Sequence, residues 1–144
     1  LGHYVGDLML SEVARRIVEC LGKDDFVGRI GGDEFAVLLR ESTPPLAAHH
    51  AGQRIIAALD APFVLEGHEL RISTSIGVAV FPADAANVTD LLRKADMALY
   101  KAKDLGKRKL VHFTEAIEAT RRERAELEEA LRGAIVRQEL GVLY

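Results

Sequence analysis

Arg29-Ile30-Gly31-Gly32-Asp33-Glu34-Phe35 joins two short apolar runs, Phe26 to Ile30 and Phe35 to Leu39, through two glycines and two adjacent carboxylates. Runs of β-favouring residues on either side of a glycine-containing connection predict a β-hairpin. Glycine at the bend accepts positive φ and lets another group approach the backbone closely. Adjacent carboxylates at such a tip repel each other, so solvent, a cation or neighbouring Lys and Arg must compensate them. Two readings stand at this point: a polar turn that happens to hold acids, or a metal site at the end of a core strand. Oxygen-rich pairs suit Mg²⁺ or Mn²⁺.

The rest of the chain bounds those readings. Its 144 residues, 49% apolar and 28% charged, suit one soluble domain whose core needs no disulfide. The single cysteine, Cys20, has no internal partner, and no zinc-ligand spacing is present. A net charge of −3 gives no general attraction to nucleic acid or to an anionic membrane. No apolar run approaches the roughly 18 residues of a membrane span. Both ends read as cut: Leu1-Gly2-His3-Tyr4 has neither initiator Met nor basic leader, and Gly141-Val142-Leu143-Tyr144 stops on a strand-like run.

In chain order, Gly6-Asp7 precedes a helix with Leu10, Val13, Ile17 and Leu21 at helical spacing, and Asp7 is a candidate N-cap. Gly22 ends that helix, and Lys23-Asp24-Asp25 turns into the hairpin. Thr43-Pro44-Pro45 starts a second helix, with Leu46, Ile55, Ile56 and Leu59 on its core side, and Ala61-Pro62 breaks it. His49 and His50 ride on it without ligand partners at suitable spacing. Phe63-Val64-Leu65 and a long strand from Leu70 to Phe81 flank a second hairpin connection, Glu66 to Glu69. Leu70, Ile72, Thr74, Ile76, Val78 and Val80 share one face of that strand. Gly77 interrupts it, predicting a bulge or a close backbone approach. After the loop Pro82 to Ala85, Asn87 or Thr89 caps a third helix that turns Leu91, Leu92, Ala95, Ala98, Leu99 and Ala102 inward and ends at Gly106. Lys101, Lys103, Lys107, Arg108 and Lys109 gather there against one acid, Asp104. Cations at a helix C-terminus suit its dipole, which is a sufficient structural reason for several of them. Leu110 to Phe113 reads as a closing edge strand. From Thr114 to Glu139 runs a long charged helix with a narrow stripe, Leu127, Leu131 and Ile135, the pattern of a connector.

Four blocks of residues, in order, resemble the GGDEF domain of diguanylate cyclases, enzymes that join two GTP molecules into cyclic di-GMP. They are Gly2-His3 with Gly6-Asp7; Arg29 with Gly31 to Phe35; Ser73 to Ala79; and Ala95 to Lys103 with Gly106-Lys107. The resemblance covers residues 1–113 and implies an α+β, nucleotidyl-cyclase-like (ferredoxin-like) fold: a mostly antiparallel sheet flanked by helices. Residues 114–139 then form a connector helix. Residues 140–144, with the run from Leu131, look like the opening of an EAL-type phosphodiesterase domain.

The resemblance also implies site roles. Asp33 is a metal ligand, and Glu34 a second metal ligand or the group that helps deprotonate the attacking hydroxyl. Mg²⁺ or Mn²⁺ is the cofactor, and a homodimer with a second GGDEF domain is needed for catalysis. Gly31 and Gly32 let backbone N–H groups approach the phosphates. Lys103 and Lys107 match basic phosphate-contacting positions, four apart and on one helix face if the helix reaches that far. Lysine stands at 107 where arginine is commoner, keeping charge but losing the bidentate fork. Asp7 matches the acid that reads guanine, since a carboxylate accepts from both N1–H and N2–H₂.

Two departures accompany these matches. The family's first strand, with another metal-binding Asp, and a guanine-reading Asn fall before Leu1. Its absence is expected to leave flanking strands unpaired and apolar surface exposed, and the 144 residues alone are expected to be catalytically incompetent. Second, the inhibitory Arg-x-x-Asp is here Gly22-Lys23-Asp24-Asp25. Asp25 is thus a remnant without its guanidinium, and weak or no product feedback is expected. The expected location is cytoplasmic, with any membrane anchor in upstream domains; neither nucleic acid nor membrane contact is expected of this segment. Besides a cyclase, two functions remain open: a GTP-binding regulator of an attached EAL-like phosphodiesterase, and a dimerisation scaffold.

Overall fold

The computed structural model describes residues 2–40, 44–137 and 139. Helix α1 (Gly2–Glu19) leads into the hairpin β1 (Phe26–Gly31) and β2 (Glu34–Leu38), then α2 (Pro44–Asp60). A second hairpin follows, β3 (Phe63–Leu65) and β4 (His68–Leu70), then β5 (Ile76–Val78), α3 (Val88–Asp104), β6 (Leu110–His112) and α4 (Glu115–Val136). The fold is α+β. Among the described residues the strands form three two-stranded sheets, with β1–β2 and β3–β4 antiparallel and β5–β6 parallel.

Alternation along the first hairpin decides what it buries. Val27, Val37 and Phe35 pack on the core of Val13 and Ile17 from α1, Ile55 and Leu59 from α2, and fully buried Phe63. The opposite face carries the cross-strand pair Phe26 and Leu38, with Ile30 further along, all more than half exposed. A second cluster joins Met97 and Ala98 of α3 to Phe113, with Ala79, Val111 and Ile117 around it.

The β5–β6 pair is the middle layer between two helices. A Cβ placed on Gly52 of α2 would meet the side chains of Leu110 and Ile76, so those residues face α2. A Cβ on Gly77 would fall 2.1 Å from Ala95 O and 2.2 Å from Leu99 N of α3. Of the two readings for this glycine, close backbone approach is the observed one.

Several expectations need correction. The strand expected from Leu70 to Phe81 is two three-residue strands, β4 and β5, with different partners. Residues 71–75 have no ladder partner among the described residues, and alternation alone does not supply one. Leu70, Ile72 and Ile76 still pack on the first core, as one shared face requires. Asp7 is not an N-cap, because α1 already begins at Gly2 and continues through Gly6. The helix stops at Glu19, short of Gly22. Leu92, expected inward on α3, is 52% exposed, and Met97 is buried instead. Asn87 is the cap of α3: its side chain accepts from Asp90 N at 2.9 Å. The charged helix spans Glu115–Val136, and none of its residues is buried. Leu127, Leu131 and Ile135 lie exposed along it. The expected start of helix two at Thr43 and the expected opening of a further domain at 140–144 lie outside the described residues.

Candidate nucleotide site

The GG turn is shaped by its own backbone. Register shifts between Arg29 and Gly31, so that Arg29 opposes Phe35 while Gly31 opposes Glu34. Gly32 sits at φ +52, the left-handed region that glycine enters without steric cost. Arg29 Nε donates to Gly32 O at 2.9 Å, tying the strand to the turn it precedes. Because Arg29 and Phe35 are cross-strand neighbours on the hairpin face turned toward α1, the guanidinium reaches the gap between them.

Two adjoining clefts occupy that gap. The wider, about 640 Å³, is lined by Gly6, Asp7, Met9 and Leu10 of α1 and by Arg29, Gly32 and Asp33 of the hairpin. The narrower, about 420 Å³, is lined by Asp7, Leu10, Ser11, Ala14, Val27, Gly28, Arg29 and Phe35. Three of the residues singled out from sequence, Asp7, Gly32 and Asp33, therefore share one cleft. Arg29 walls both clefts and had no role from the sequence; its place directly before the GG turn was the available signal.

Glu34, the next residue along the tip, pairs with Lys103 Nζ of α3 at 3.6 Å. This brings α3 to the hairpin across 69 positions of sequence. Lys107 does not share a helix face with Lys103. The helix ends at Asp104, Gly106 takes φ +100, and Lys107 follows at φ +60. There its backbone N–H donates to Ala102 O at 3.2 Å. The terminating glycine thus turns Lys107 off the helix before the next face position is reached. Gly31 contributes to β1, paired with Glu34.

Asp33 and Glu34 are two oxygen donors at one tip. Asp33 makes no ion pair or side-chain hydrogen bond among the described residues, and Glu34 has the single pairing to Lys103. That donor set fits Mg²⁺, which is held by one or two carboxylates together with water and substrate phosphates. No group of three or more His, Cys, Asp or Glu side chains converges among the described residues.

Asp25 has a structural occupation. Its carboxylate accepts from Gly22 N at 2.8 Å and from Arg40 N at 3.0 Å, closing the turn before β1 and holding the chain beyond β2. Asp25→Ala should therefore lower stability by about 1–2 kcal/mol, the loss expected for hydrogen bonds to a charged acceptor. Urea unfolding measures that loss, and calorimetry with cyclic di-GMP should give no saturable heat for either protein. Micromolar binding abolished by the substitution would show instead that Asp25 serves a ligand.

The helix-backed antiparallel hairpin, with acids at its tip and a cleft toward α1, defines a nucleotidyl-cyclase-like α+β domain. Residues 1–109 match the family described as diguanylate cyclase, GGDEF domain, and the chain belongs to that family. Among its relatives is the bifunctional diguanylate cyclase/cyclic di-GMP phosphodiesterase MucR of Pseudomonas aeruginosa, 38% identical over 143 residues. That alignment covers 99% of this chain and 21% of MucR. Diguanylate cyclase TpbB of the same species is 43% identical over 104 residues, 72% of this chain and 24% of TpbB. A solved structure of TpbB comprising only its GGDEF domain superposes with a TM-score of 0.81 at 36% identity, covering 85% of this chain and 72% of that one. The chain spans about a fifth of the length of the full relatives it matches. Among the described residues, no helix is long and apolar enough to cross a membrane.

Proposed function

We propose that this chain is the cyclase domain of a longer cytoplasmic signalling protein that condenses two GTP into cyclic di-GMP and pyrophosphate. The observation that carries the reading is the convergence of Asp7, Gly32 and Asp33 on one cleft beside Arg29. A carboxylate at 7 suits a base that presents N1–H and N2–H₂ together, and adenine, lacking that pair, would leave it unsatisfied. The turn at Gly31-Gly32 leaves open backbone for phosphates: a Cβ at either glycine would meet nothing within 4 Å.

In the reaction the 3′-oxygen of each GTP forms a bond to the α-phosphorus of the other, and the bond from each α-phosphorus to its pyrophosphate breaks, so that two pyrophosphates leave for each cyclic di-GMP. Asp33 and Glu34 are the residues that would hold Mg²⁺ or Mn²⁺. The cation, when bound, neutralises phosphate charge and stabilises the attacking and leaving oxygens. The hydroxyl proton passes to solvent or to Glu34, if that carboxylate is not itself engaged by the cation. Lys103, already at the tip through Glu34, supplies positive charge toward the phosphates, with Lys107 nearby in sequence. Each domain holds one nucleotide, so two domains facing each other complete the reaction.

The 144 residues alone are held to be inactive. Two carboxylates stand at the tip, and the β1–β2 and β5–β6 sheets share no ladder among the described residues. A strand supplied between them, with one more acid, would join the sheets and complete the donor set. The test compares the domain completed by such a strand with its Asp33→Ala and Glu34→Ala forms. Cyclic di-GMP from GTP, reduced at least about 100-fold in both, supports the cyclase. The bifunctional description of MucR favours one other reading, a GTP-binding regulator of an attached EAL-type domain reached through α4. GTP-dependent hydrolysis of cyclic di-GMP without synthesis would establish that reading instead.

A further inference from the structure

Beyond its contacts with α3, helix α4 carries an apolar stripe into solvent. Leu127, Leu131 and Ile135 are 44–62% exposed, and no residue of the helix is buried. At about 100° per residue the three side chains fall within roughly 80° of arc. The charges beside them are ordered by sign. Glu128 and Arg132 flank the stripe on one side, Glu123 and Arg137 on the other. Among the described residues Glu123 and Arg132 take part in no ion pair, while Glu128 pairs with Arg124 at 3.2 Å and Arg137 with Glu139 at 2.7 Å. Exposed local pairs of that kind contribute at most about 1 kcal/mol, too little to bar a new partner. An unsupported helical arm of this length is marginal in water, so cover along the stripe would stabilise it.

The order of signs selects both the partner and its direction. Two copies of α4 laid antiparallel bring the same flank of each together. With the two-fold axis at the level of Ala130, Glu128 stands opposite the partner's Arg132, and Glu123 opposite the partner's Arg137. The symmetry repeats each pair. In this same register the stripes mesh. Leu127 falls midway between the partner's Leu131 and the partner's Ile135, and Leu131 falls midway between the partner's Leu127 and the partner's Leu131. A parallel pair in register sets Glu123 beside the partner's Glu128 instead, like charge against like. We propose that residues 123–137 of α4 form a self-complementary interface with a second copy of this chain, running antiparallel about Ala130. None of these residues lines the clefts, so the interface is separate from the meeting of two domains that the cyclase reading requires.

Sedimentation equilibrium of the 144-residue chain without nucleotide is the experiment. The chain should dimerise reversibly, and Leu131→Glu should weaken the dimer at least about 100-fold, since the two-fold counts each lost apolar contact twice. Glu128→Arg and Arg132→Glu should each weaken it about tenfold, because each sets two like-charge contacts across the axis. Mixed in equal amounts, these two variants should associate as tightly as the wild type, for in the mixed dimer every flanking charge again meets its opposite. Glu129→Arg, on the far side of the helix, should change nothing. All four positions are exposed, so the domain stays folded, and far-ultraviolet circular dichroism checks it. A chain that stays monomeric at its highest soluble concentration overturns the interface, and so does a dimer indifferent to Leu131→Glu. A dimer that needs Leu131 but gains nothing from the mixture overturns the antiparallel register. Synthesis of cyclic di-GMP is not the readout, so failure of the cyclase reading would leave these outcomes as they stand.

Discussion

Gly77→Ala should cost at least about 3 kcal/mol, enough to deplete the folded state of a domain of ordinary stability. The added methyl would lie 2.1 Å from Ala95 O, 2.2 Å from Leu99 N and 2.8 Å from Leu99 Cα. All three are backbone atoms of α3, so no side-chain rotation relieves the overlap. The sheet or the helix must move, and β5 is held on its other face by Ile76 against α2. Urea unfolding followed by far-ultraviolet circular dichroism measures the loss. Gly28→Ala is the matched control, because a Cβ there meets nothing within 4 Å. It should change stability by no more than about 0.5–1 kcal/mol, in the favourable direction. Similar losses at both positions would mean that the β5–α3 approach is not what Gly77 secures.

Arg16→Ala is expected to lose about 2–4 kcal/mol, far more than its charge alone suggests. The side chain is 16% exposed, and its guanidinium carbon lies 3.7 Å from the centre of the Phe63 ring. Nη1 donates to Ala58 O at 2.9 Å and Ala61 O at 2.8 Å, and Nη2 donates to Pro62 O at 2.8 Å. These carbonyls stand at and beyond the C-terminus of α2, which has no basic residue in its own last turn. α1 thus supplies both the capping donors and the positive charge that α2 lacks. Removing the fork leaves three acceptors unmatched and uncovers Phe63, at the centre of the core. Arg16→Lys should recover less than half of the loss, because one ammonium does not span three divergent carbonyls. Arg15→Ala, whose ion pairs to Glu12 and Glu19 are exposed, should cost about 0–1 kcal/mol. Full rescue by lysine would reduce the Arg16 contribution to charge alone. Hydrogen bonding from Arg15, then from Arg16, holds the Glu12 carboxyl down at about 2, against the partial burial that would raise it. A depressed carboxylate contributes stability above its ordinary value of 4.5, and that contribution fades as pH falls through 2.

Those two residues also mark where the sequence was readable. Gly77 announced itself, because glycine inside an apolar β-run asks for a close neighbour, and α3 is that neighbour. The hairpin around Gly31-Gly32, the proline boundaries of α2 and the cap at Asn87 were legible for the same reason: each is fixed by residues within a few positions. Arg16 was silent, since its acceptors lie 42 to 46 residues away and no local pattern points to them. The Leu70–Phe81 run was misjudged because period-two alternation reports which side is buried, not which strand pairs with it. At the site, Asp7, Gly32 and Asp33 line one cleft, joining α1 to the hairpin tip. The tie from Arg29 to Gly32 and the reach of Lys103 to Glu34 depend on register and tertiary distance. Lys107 shares a helix face with Lys103 only if the helix continues past Gly106, and the helix ends at Asp104 instead.

Helix α4 has a mechanical consequence. Near its start, Ile117 packs on the second core, Glu118 pairs with Arg93, and Arg121 pairs with Asp96 and lies over Tyr100. From Arg124 to Val136, no hydrogen bond or ion pair joins it to another element among the described residues. At 1.5 Å per residue that free length is about 20 Å, so a tilt of about 10° at its root swings its tip by about 3–4 Å. α3 carries both Lys103, at the hairpin tip, and the residues that grip this root. A small adjustment of α3 at the hairpin tip would thereby be geared up into a larger displacement at the far end of the arm.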